Sequence, residues 1–448
     1  MNLKDKKVLV VGLGKTGFAT ARFLVEKGAH VTVTDSKDGE TILGVDSLRE
    51  IGVTIECGGH NADTFLSSDL IVVSPGVPYG LSLLREAREA GIETMSEIEL
   101  AGRFIDVPIV AVTGTNGKTT TATLLGEVFN AAGREVFVGG NIGVPLIEYL
   151  LSGRRAETIV VEVSSFQLEG IGGFRPRVAL LLNVTDDHLD RYPSIEEYCT
   201  AKFRIFENQK SDDVAVVNGD DPMIMSRMAE ITERTRVVPF SLTGSSTEGL
   251  FYRDGEIVYA GEEGEERYPT EGFKLKGRHN LENVMAAIGA ARQCGISREV
   301  IIETVERFGG LPHRMEAVRN IGGVTYYNDS KGTNVGALLK SLEGLEGPVI
   351  LIAGGRDKGG DYSLLENTVR EKLKLLILLG EAKEKIGSAL GGVIETVGAD
   401  SLEEAVRLAS SRCAAGDTVL LSPGCSSFDM FKNFEERGEQ FKRLVHRL

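Results

Sequence analysis

The sequence predicts an α/β fold of three domains, each an open, mostly parallel sheet with flanking helices. Apolar strand-like runs alternate with helical segments along most of the chain, a pattern that calls for parallel sheets covered on both faces. Two of those runs, KKVLVVGLG and VAVTGTNGK, end in glycine turns that open straight into helices. The chain has 448 residues, enough for about three domains with a core each. In such sheets ligands sit at the carboxyl ends of the strands.

In the first block, residues 1–96, KKVLVVGLG is a strand and a helix is expected from Thr16 to Lys27. HVTVTDS is a second strand, and Ser68 to Val73 is another, closed by SPGVP. A break falls between Met95 and Pro108, where a helical segment gives way to DVP. The second block, residues 97–310, holds the strand before TGTNGKTTT, strands at Thr158 to Val163 and Val178 to Asn183, and a helical stretch YCTAKFRIFEN. Ser241 to Lys276 is rich in Gly and Glu with short alternating runs such as EIVYA, which reads as antiparallel hairpins. GGLPHRME marks the second boundary. In the third block, residues 311–448, VTYYNDS, PVILIAGG, LKLLILLG and DTVLLSPG are strands with helices between them. The outer domains read as Rossmann-like and the central one as P-loop-ATPase-like with a small antiparallel part.

Composition narrows the class. A net charge of −15 and a pI near 5.1 offer no basic field for a nucleic-acid backbone. Cys57, Cys199, Cys294, Cys413 and Cys425 are scattered and lack C-x-x-C spacing, which fits reduced thiols in a cytoplasmic protein without a zinc site. The basic-then-apolar start resembles a signal peptide, but its apolar run is short and enters a glycine turn, so it reads as a strand. No stretch of 18 apolar residues occurs, so no membrane span is expected.

The richest chemistry lies in VAVTGTNGKTTT, Val110 to Thr121. A strand, a glycine turn and a helix opening on Lys118, Thr119 and Thr120 form a phosphate cradle, with N–H groups and a lysine facing the anion. The Thr119 hydroxyl is placed to ligate magnesium. Val112 stands where the usual G-x-x-x-x-G-K-[ST] loop has its first glycine. The plainer reading is a strand-to-helix turn with an exposed lysine. Glu162 ends a strongly apolar strand, where a carboxylate is costly unless something pairs with it. Asp186, Asp187 and His188 follow the next strand; Asp187 also suits a helix cap. Strand-end acids facing a phosphate loop are what a magnesium–triphosphate site requires. Gly12-Leu13-Gly14-Lys15-Thr16-Gly17, followed by Asp35, is a full G-x-G-x-x-G. It reports a pyrophosphate on a helix N-terminus, not hydride transfer, although a nicotinamide-dependent dehydrogenase is a rival on that motif alone. His279, Asn280 and Asn283 stand near a helix start, with Asn280 a ready N-cap. Arg314, NDSKGTN, GGRDKGGD and SPGCSSFD supply cations and hydroxyls for a carboxylate- or phosphate-binding rim. A nucleotide-binding switch would leave that rim unexplained.

One pyrophosphate site, one triphosphate site and one cationic rim point to an ATP-driven joining enzyme. TGTNGKTTT, LPHRME and NDSKGTN resemble the Mur ligases of peptidoglycan synthesis and, more distantly, the folylpolyglutamate synthetases. GLGKTG, SPGVP, SSFQLE, NVTDDHLDRY and above all SPGCSSFDMFKNFEERG resemble the D-glutamate-adding branch of the Mur ligases. The resemblance implies a cytoplasmic, monomeric ATP-dependent ligase acting on UDP-N-acetylmuramoyl-L-alanine and D-glutamate through an acyl phosphate, with domain closure. It implies uridine-nucleotide binding by Gly14, Lys15, Thr16, Gly17, Asp35, Ser36, Lys37, Gly76, Asn141 and His188. It implies ATP binding by Gly114, Thr115, Asn116, Gly117, Lys118, Thr119, Thr120, Asn283, Arg314 and Asp329. D-Glutamate falls to Thr333, Lys358, Ser427, Phe428 and Phe434, and catalysis to Lys118, Glu162, His188, Lys202 and Lys331. Two Mg²⁺ would be held by Thr119, Glu162, His188 and Lys202, the last as a CO₂-derived carbamate. Read by itself, Lys202 is an ordinary helical lysine.

Overall fold

The computed structural model describes residues 1–448 apart from 40, 41, 43, 142, 186–190, 245–247, 262, 263, 276 and 358. The chain forms two compact units, Met1–Phe308 and Gly309–Leu448. The first unit holds two sheets. One comprises β1 (Lys7–Val11), β2 (His30–Asp35), β3 (Thr54–Cys57), β4 (Leu70–Val73) and β5 (Glu93–Ser96), in the order β3-β2-β1-β4-β5 and parallel throughout. The other comprises β6 (Ile109–Thr113), β7 (Val136–Gly140), β8 (Thr158–Glu162), β9 (Val178–Leu181), β10 (Val214–Asn218), β11 (Arg236–Ser241), β12 (Gly249–Arg253), β13 (Glu256–Gly261) and β14 (Gly264–Pro269). Their order is β14-β13-β12-β11-β10-β9-β6-β8-β7. Pairing is parallel from β7 to β12 and antiparallel from β12 to β14, so the expected hairpins extend the main sheet.

The second unit holds β15 (Glu316–Ile321), β16 (Val324–Asn328), β17 (Val349–Gly354), β18 (Leu373–Leu379), β19 (Thr396–Gly398) and β20 (Thr418–Leu421). The order is β15-β16-β20-β17-β18-β19, parallel except for the β15–β16 hairpin. Every residue of β17, VILIAG, is buried, because helices cover both faces and leave no polar side to alternate with. Two cores result, one on each face of this sheet.

The α/β reading holds in all three sheets, with element ends displaced by a residue or two. The expected helix Thr16–Lys27 is Lys15–Glu26. Asn280 is not an N-cap: the helix is Arg278–Gln293, capped by Gly277 at φ 93°, which lets the chain turn without a side-chain cap. Between Met95 and Pro108 the chain does not simply break. Glu97–Gly102 is a helix whose Ile98 and Leu100 join one hydrophobic core running from Phe23 and Leu24 to Ile147 and Ile159.

Two buried carboxylates pin that helix. Glu99 accepts the N–H groups of Gly172, Gly173 and Phe174 at 2.7–2.9 Å and the Arg103 guanidinium at 2.7 Å. Glu97 accepts Ile147 N–H at 2.6 Å on one oxygen, and its second oxygen is buried with no hydrogen-bond partner among the described residues. Burial pushes the Glu97 carboxyl up to about 7, against the pull of the Ile147 and Leu146 N–H groups. A raised carboxyl favours the protonated fold, so its stability is fully present below about 4.5 and is lost as pH rises through about 7. Glu97→Gln should therefore match the parent near pH 4.5 and exceed it at pH 8 by roughly 3 kcal/mol. Thermal melts of both proteins across that range check this; a constant difference refutes it.

Candidate active site

The singled-out loops follow the carboxyl ends of parallel strands, where open α/β sheets take their ligands; in the first sheet they flank the single reversal of strand order, between β1 and β4. In the central sheet the loop after β6 meets the end of β8. Val112 lies within β6, fully buried, paired with Glu162 on one side and Leu180 on the other. An extended residue inside a strand gains nothing from being glycine, which explains the absent first glycine. Gly114 and Gly117 are required: both have positive φ, 151° and 85°. A Cβ on Gly117 would also collide with Asn283 Oδ1.

The loop is held from outside. Asn183 accepts Thr115 N–H on its carbonyl (2.9 Å) and Asn116 N–H on its amide oxygen (2.8 Å). Thr185 N–H donates to Thr115 Oγ1 at 3.0 Å. Asp221 takes Val184 N–H at 2.7 Å, and Asn218 donates to Leu182 carbonyl at 3.0 Å. These anchors were missed in the sequence. Asp221 had a signal, since Asp-Pro at a helix start is a cap followed by its favoured N1 residue.

Lys118 Nζ donates to the carbonyls of Gly114 and Thr115, both at 2.9 Å. Lys202, only 1% exposed, reaches the same Gly114 carbonyl at 2.8 Å from the helix Ile195–Phe203. Its ammonium also lies 4.5 Å from the centre of the Tyr198 ring. The two ammonium groups thus share one acceptor oxygen of the loop. Glu162, 2% exposed, accepts Asn141 Nδ2 on Oε1 at 3.2 Å, while Oε2 is buried with no hydrogen-bond partner. The structure thus brings Lys118 and Lys202 together at one carbonyl, and Asn141 to Glu162. Thr119 is half-buried in the first turn of the helix Lys118–Ala131. His188, with Asp186 and Asp187, lies outside the described residues.

In the first sheet the glycine loop follows β1 and faces the turn after β4. A Cβ on Gly12 would come 2.7 Å from Val77 Cγ2, and one on Gly17 would strike the Gly12 carbonyl. Gly14 and Gly76 have open space beside them. Asp35 shapes the loop, accepting Leu13 N–H at 2.7 Å and Lys37 N–H at 2.9 Å. Lys15, Ser36 and Lys37 are exposed and Thr16 is half-buried. Arg191, part of NVTDDHLDRY but given no role of its own from the sequence, ties down the SPGVP turn. Its guanidinium donates to the Pro75 and Val77 carbonyls at 3.3 and 3.0 Å and stacks 3.7 Å over Phe166.

In the second unit, loops after β16, β17 and β20 lie side by side. Asp329 is buried, and burial pushes its carboxyl up although it accepts the Ser341 and Ser422 hydroxyls, each at 2.7 Å. Lys331 Nζ lies 5.9 Å from the Phe434 ring centre, and Thr333 N–H bonds the Lys331 carbonyl at 2.8 Å. Ser427 is buried, Phe434 half-buried, and Arg314 exposed. Phe428, at 61%, is among the most exposed large apolar side chains. Arg437, within SPGCSSFDMFKNFEERG but given no role of its own from the sequence, is fully buried and bonds Ser330 Oγ (2.9 Å), Ser330 O (2.9 Å) and Cys425 O (3.3 Å), joining two of the loops. Burial pulls its guanidinium down to about 10. Lys358 lies outside the described residues.

A phosphate loop with two lysines and a buried strand-end acid defines a nucleotide-binding α/β protein. Three domain families match it in sequence: the Mur ligase MurD-like N-terminal domain over residues 6–96, the Mur ligase middle domain over 112–291, and the Mur ligase glutamate ligase domain over 313–425. Full-length relatives include the UDP-N-acetylmuramoylalanine--D-glutamate ligases of Geotalea uraniireducens, 53% identical, and Geotalea daltonii, 54% identical. Each alignment covers 100% of this chain and 99% of the relative. The chain therefore belongs to the Mur ligase family. The same fold occurs in a pseudomurein peptide ligase type C from Methanothermus fervidus (TM-score 0.59, 20% identity, 99% and 100% of the two chains). It occurs also in the UDP-N-acetylmuramate-alanine ligase MurC from Thermotoga maritima (TM-score 0.56, 20% identity, 99% of each chain).

Proposed function

We propose that this chain is the ATP-dependent ligase that joins D-glutamate to UDP-N-acetylmuramoyl-L-alanine in peptidoglycan precursor synthesis. The observation that carries this reading is the end-to-end match, above 50% identity, to ligases of that name. It acts in the cytoplasm as a monomer, and no helix among the described residues is long and apolar enough to cross a membrane. Three functional regions follow: residues 1–96 for the uridine nucleotide, 97–310 for ATP and 311–448 for the amino acid.

A carboxylate is a poor electrophile, so the alanyl carboxylate is first phosphorylated by ATP. The amine of D-glutamate then attacks the acyl phosphate, forming the amide and releasing phosphate. Gly114 to Thr120 cradle the triphosphate, and Lys118 exchanges its two carbonyl partners for phosphate oxygens, offsetting the charge that develops. Asn283 borders the loop, and Arg314 and Asp329 serve the nucleotide. Gly14, Lys15, Thr16, Gly17, Asp35, Ser36, Lys37, Gly76 and Asn141 serve the uridine substrate. Thr333, Lys358, Ser427, Phe428 and Phe434 receive D-glutamate, with Lys331 near the reacting centre, and His188 serves the magnesium site and the uridine substrate.

The orphaned Glu162 Oε2 fits a magnesium ligand, because a hard cation replaces the hydrogen bond that oxygen lacks. No cluster of three or more His, Cys, Asp or Glu side chains suited to a metal occurs among the described residues. Mg²⁺ suits such a site, since it keeps several waters and takes one or two carboxylates plus substrate phosphates. When bound, Mg²⁺ would neutralise phosphate charge, with Thr119 and Glu162 as ligands. Carbamylation of Lys202 would turn a cation beside the phosphate loop into an anion with oxygen ligands suited to Mg²⁺. A carbamate signal from protein equilibrated with ¹³C-bicarbonate, absent in Lys202→Arg, checks that step.

The test is a panel assay with UDP-N-acetylmuramoyl-L-alanine, ATP and Mg²⁺, scoring phosphate release with D-Glu, L-Glu, L-Lys and meso-diaminopimelate. D-Glu should be preferred. Preference for another amino acid would defeat the specific assignment and spare the ligase class.

A further inference from the structure

The loop between β17 and the short helix Tyr362–Leu365 is joined to the turn after β20 by a backbone bridge and by one buried hydroxyl. Tyr362 OH donates to Asp357 Oδ1 at 3.0 Å and lies 3.0 Å from Cys425 Sγ. An ionised carboxylate only accepts, so the tyrosine proton is committed to Asp357 and the Cys425 thiol donates to the tyrosine oxygen. Asp357 also accepts Gly360 N–H at 3.2 Å and pairs with Lys385 Nζ at 2.6 Å. That ammonium holds the Asp357 carboxyl down at about 2 and sits 5.6 Å from the Tyr362 ring centre. Alongside, Arg356 N–H donates to Ser426 O at 2.9 Å, and Ser426 N–H and Oγ both return to Arg356 O, at 3.1 and 3.0 Å.

In the sequence Asp357 immediately precedes Lys358, and Cys425 immediately precedes Ser426 and Ser427. The backbone bridge at Arg356 and Ser426 fixes one point of contact between the two loops. The Cys425–Tyr362–Asp357–Lys385 chain fixes a second, and two points define an orientation where one leaves a hinge.

We propose that Asp357 and Tyr362 are positioning residues for the amino-acid substrate, setting the spacing of the two loops that receive its carboxylates without touching it. This rests on the ligase reading above. A displacement of about 1 Å at a binding group is enough to cost substantial affinity. The hydroxyl is the sensitive point, because among the described residues it alone bonds both Asp357 and Cys425.

Tyr362→Phe removes that hydroxyl and leaves the ring in its pocket. KM for D-glutamate should rise roughly tenfold, the effect of one hydrogen bond to a charged group. The kcat should stay within about twofold, and KM for ATP should not move. If that variant does not fold, Lys385→Met removes the ion pair from the half-exposed end of the chain, and KM for D-glutamate should rise roughly threefold. An unchanged KM for D-glutamate in a folded variant, or a fall in kcat with every KM unmoved, overturns the proposal. A parent enzyme without D-glutamate turnover defeats the ligase reading itself, an outcome distinct from a normal parent with an unaffected variant.

Discussion

Lys118→Ala should lower ATP-dependent phosphate release by at least about 10³-fold, with both co-substrates present, while the protein still folds. The lysine is half-buried and its Nζ is spent on two carbonyls of its own loop, at 2.9 Å each. Those bonds are replaceable by water, so stability should change by about 1 kcal/mol or less. A developing phosphoryl charge has no comparable replacement, because a fixed cation stabilises it without the reorganisation that water would need. The loss should appear in kcat rather than in KM for D-glutamate. Undiminished release by this variant would refute the phosphate-loop assignment.

Glu162→Gln should also damage turnover, by about 10²–10³-fold, and should raise the Mg²⁺ concentration needed for half-maximal rate. The side chains are nearly isosteric, and the Asn141 contact at 3.2 Å can persist on the amide oxygen. What disappears is the charge on an oxygen that is buried and unbonded. Burying a charge without a partner costs stability, so this variant should melt no lower than the parent and even somewhat higher. Opposite signs for activity and stability separate a functional acid from a structural one. A lower melting point with normal turnover would mean that Glu162 serves packing.

The glycines show how far sequence reading reaches. Gly114 and Gly117 were legible because a strand, a turn demanding positive φ and a helix leave few alternatives to a phosphate loop. Val112 looked like a departure until pairing with Glu162 and Leu180 placed it inside a strand. Glu162 was legible for a related reason: a carboxylate ending TIVVE is conspicuous among apolar residues. Asn183, Arg191 and Arg437 lie inside the quoted motifs NVTDDHLDRY and SPGCSSFDMFKNFEERG, but their anchoring roles were not legible. Each acts on backbone far away in the chain: Asn183 on Asn116, Arg191 on Pro75 and Val77, Arg437 on Ser330. A lone asparagine or arginine carries no periodicity and no local constraint that would mark such a role. Glu97 and Glu99 were hidden in the same way, as two acids in a stretch that read as a boundary.

The sequence by itself determined the α/β class, the three sheets and the two glycine loops, because strand and helix periods and positive-φ turns are local properties of the chain. The motifs along its length also carried the family. The tertiary structure alone decided that the first two sheets share one core, through the helix Glu97–Gly102. It alone placed Lys118 and Lys202 on one carbonyl. The physical reason is common to both: packing, burial and shared hydrogen-bond acceptors join residues distant in sequence, and only the folded chain brings them within reach.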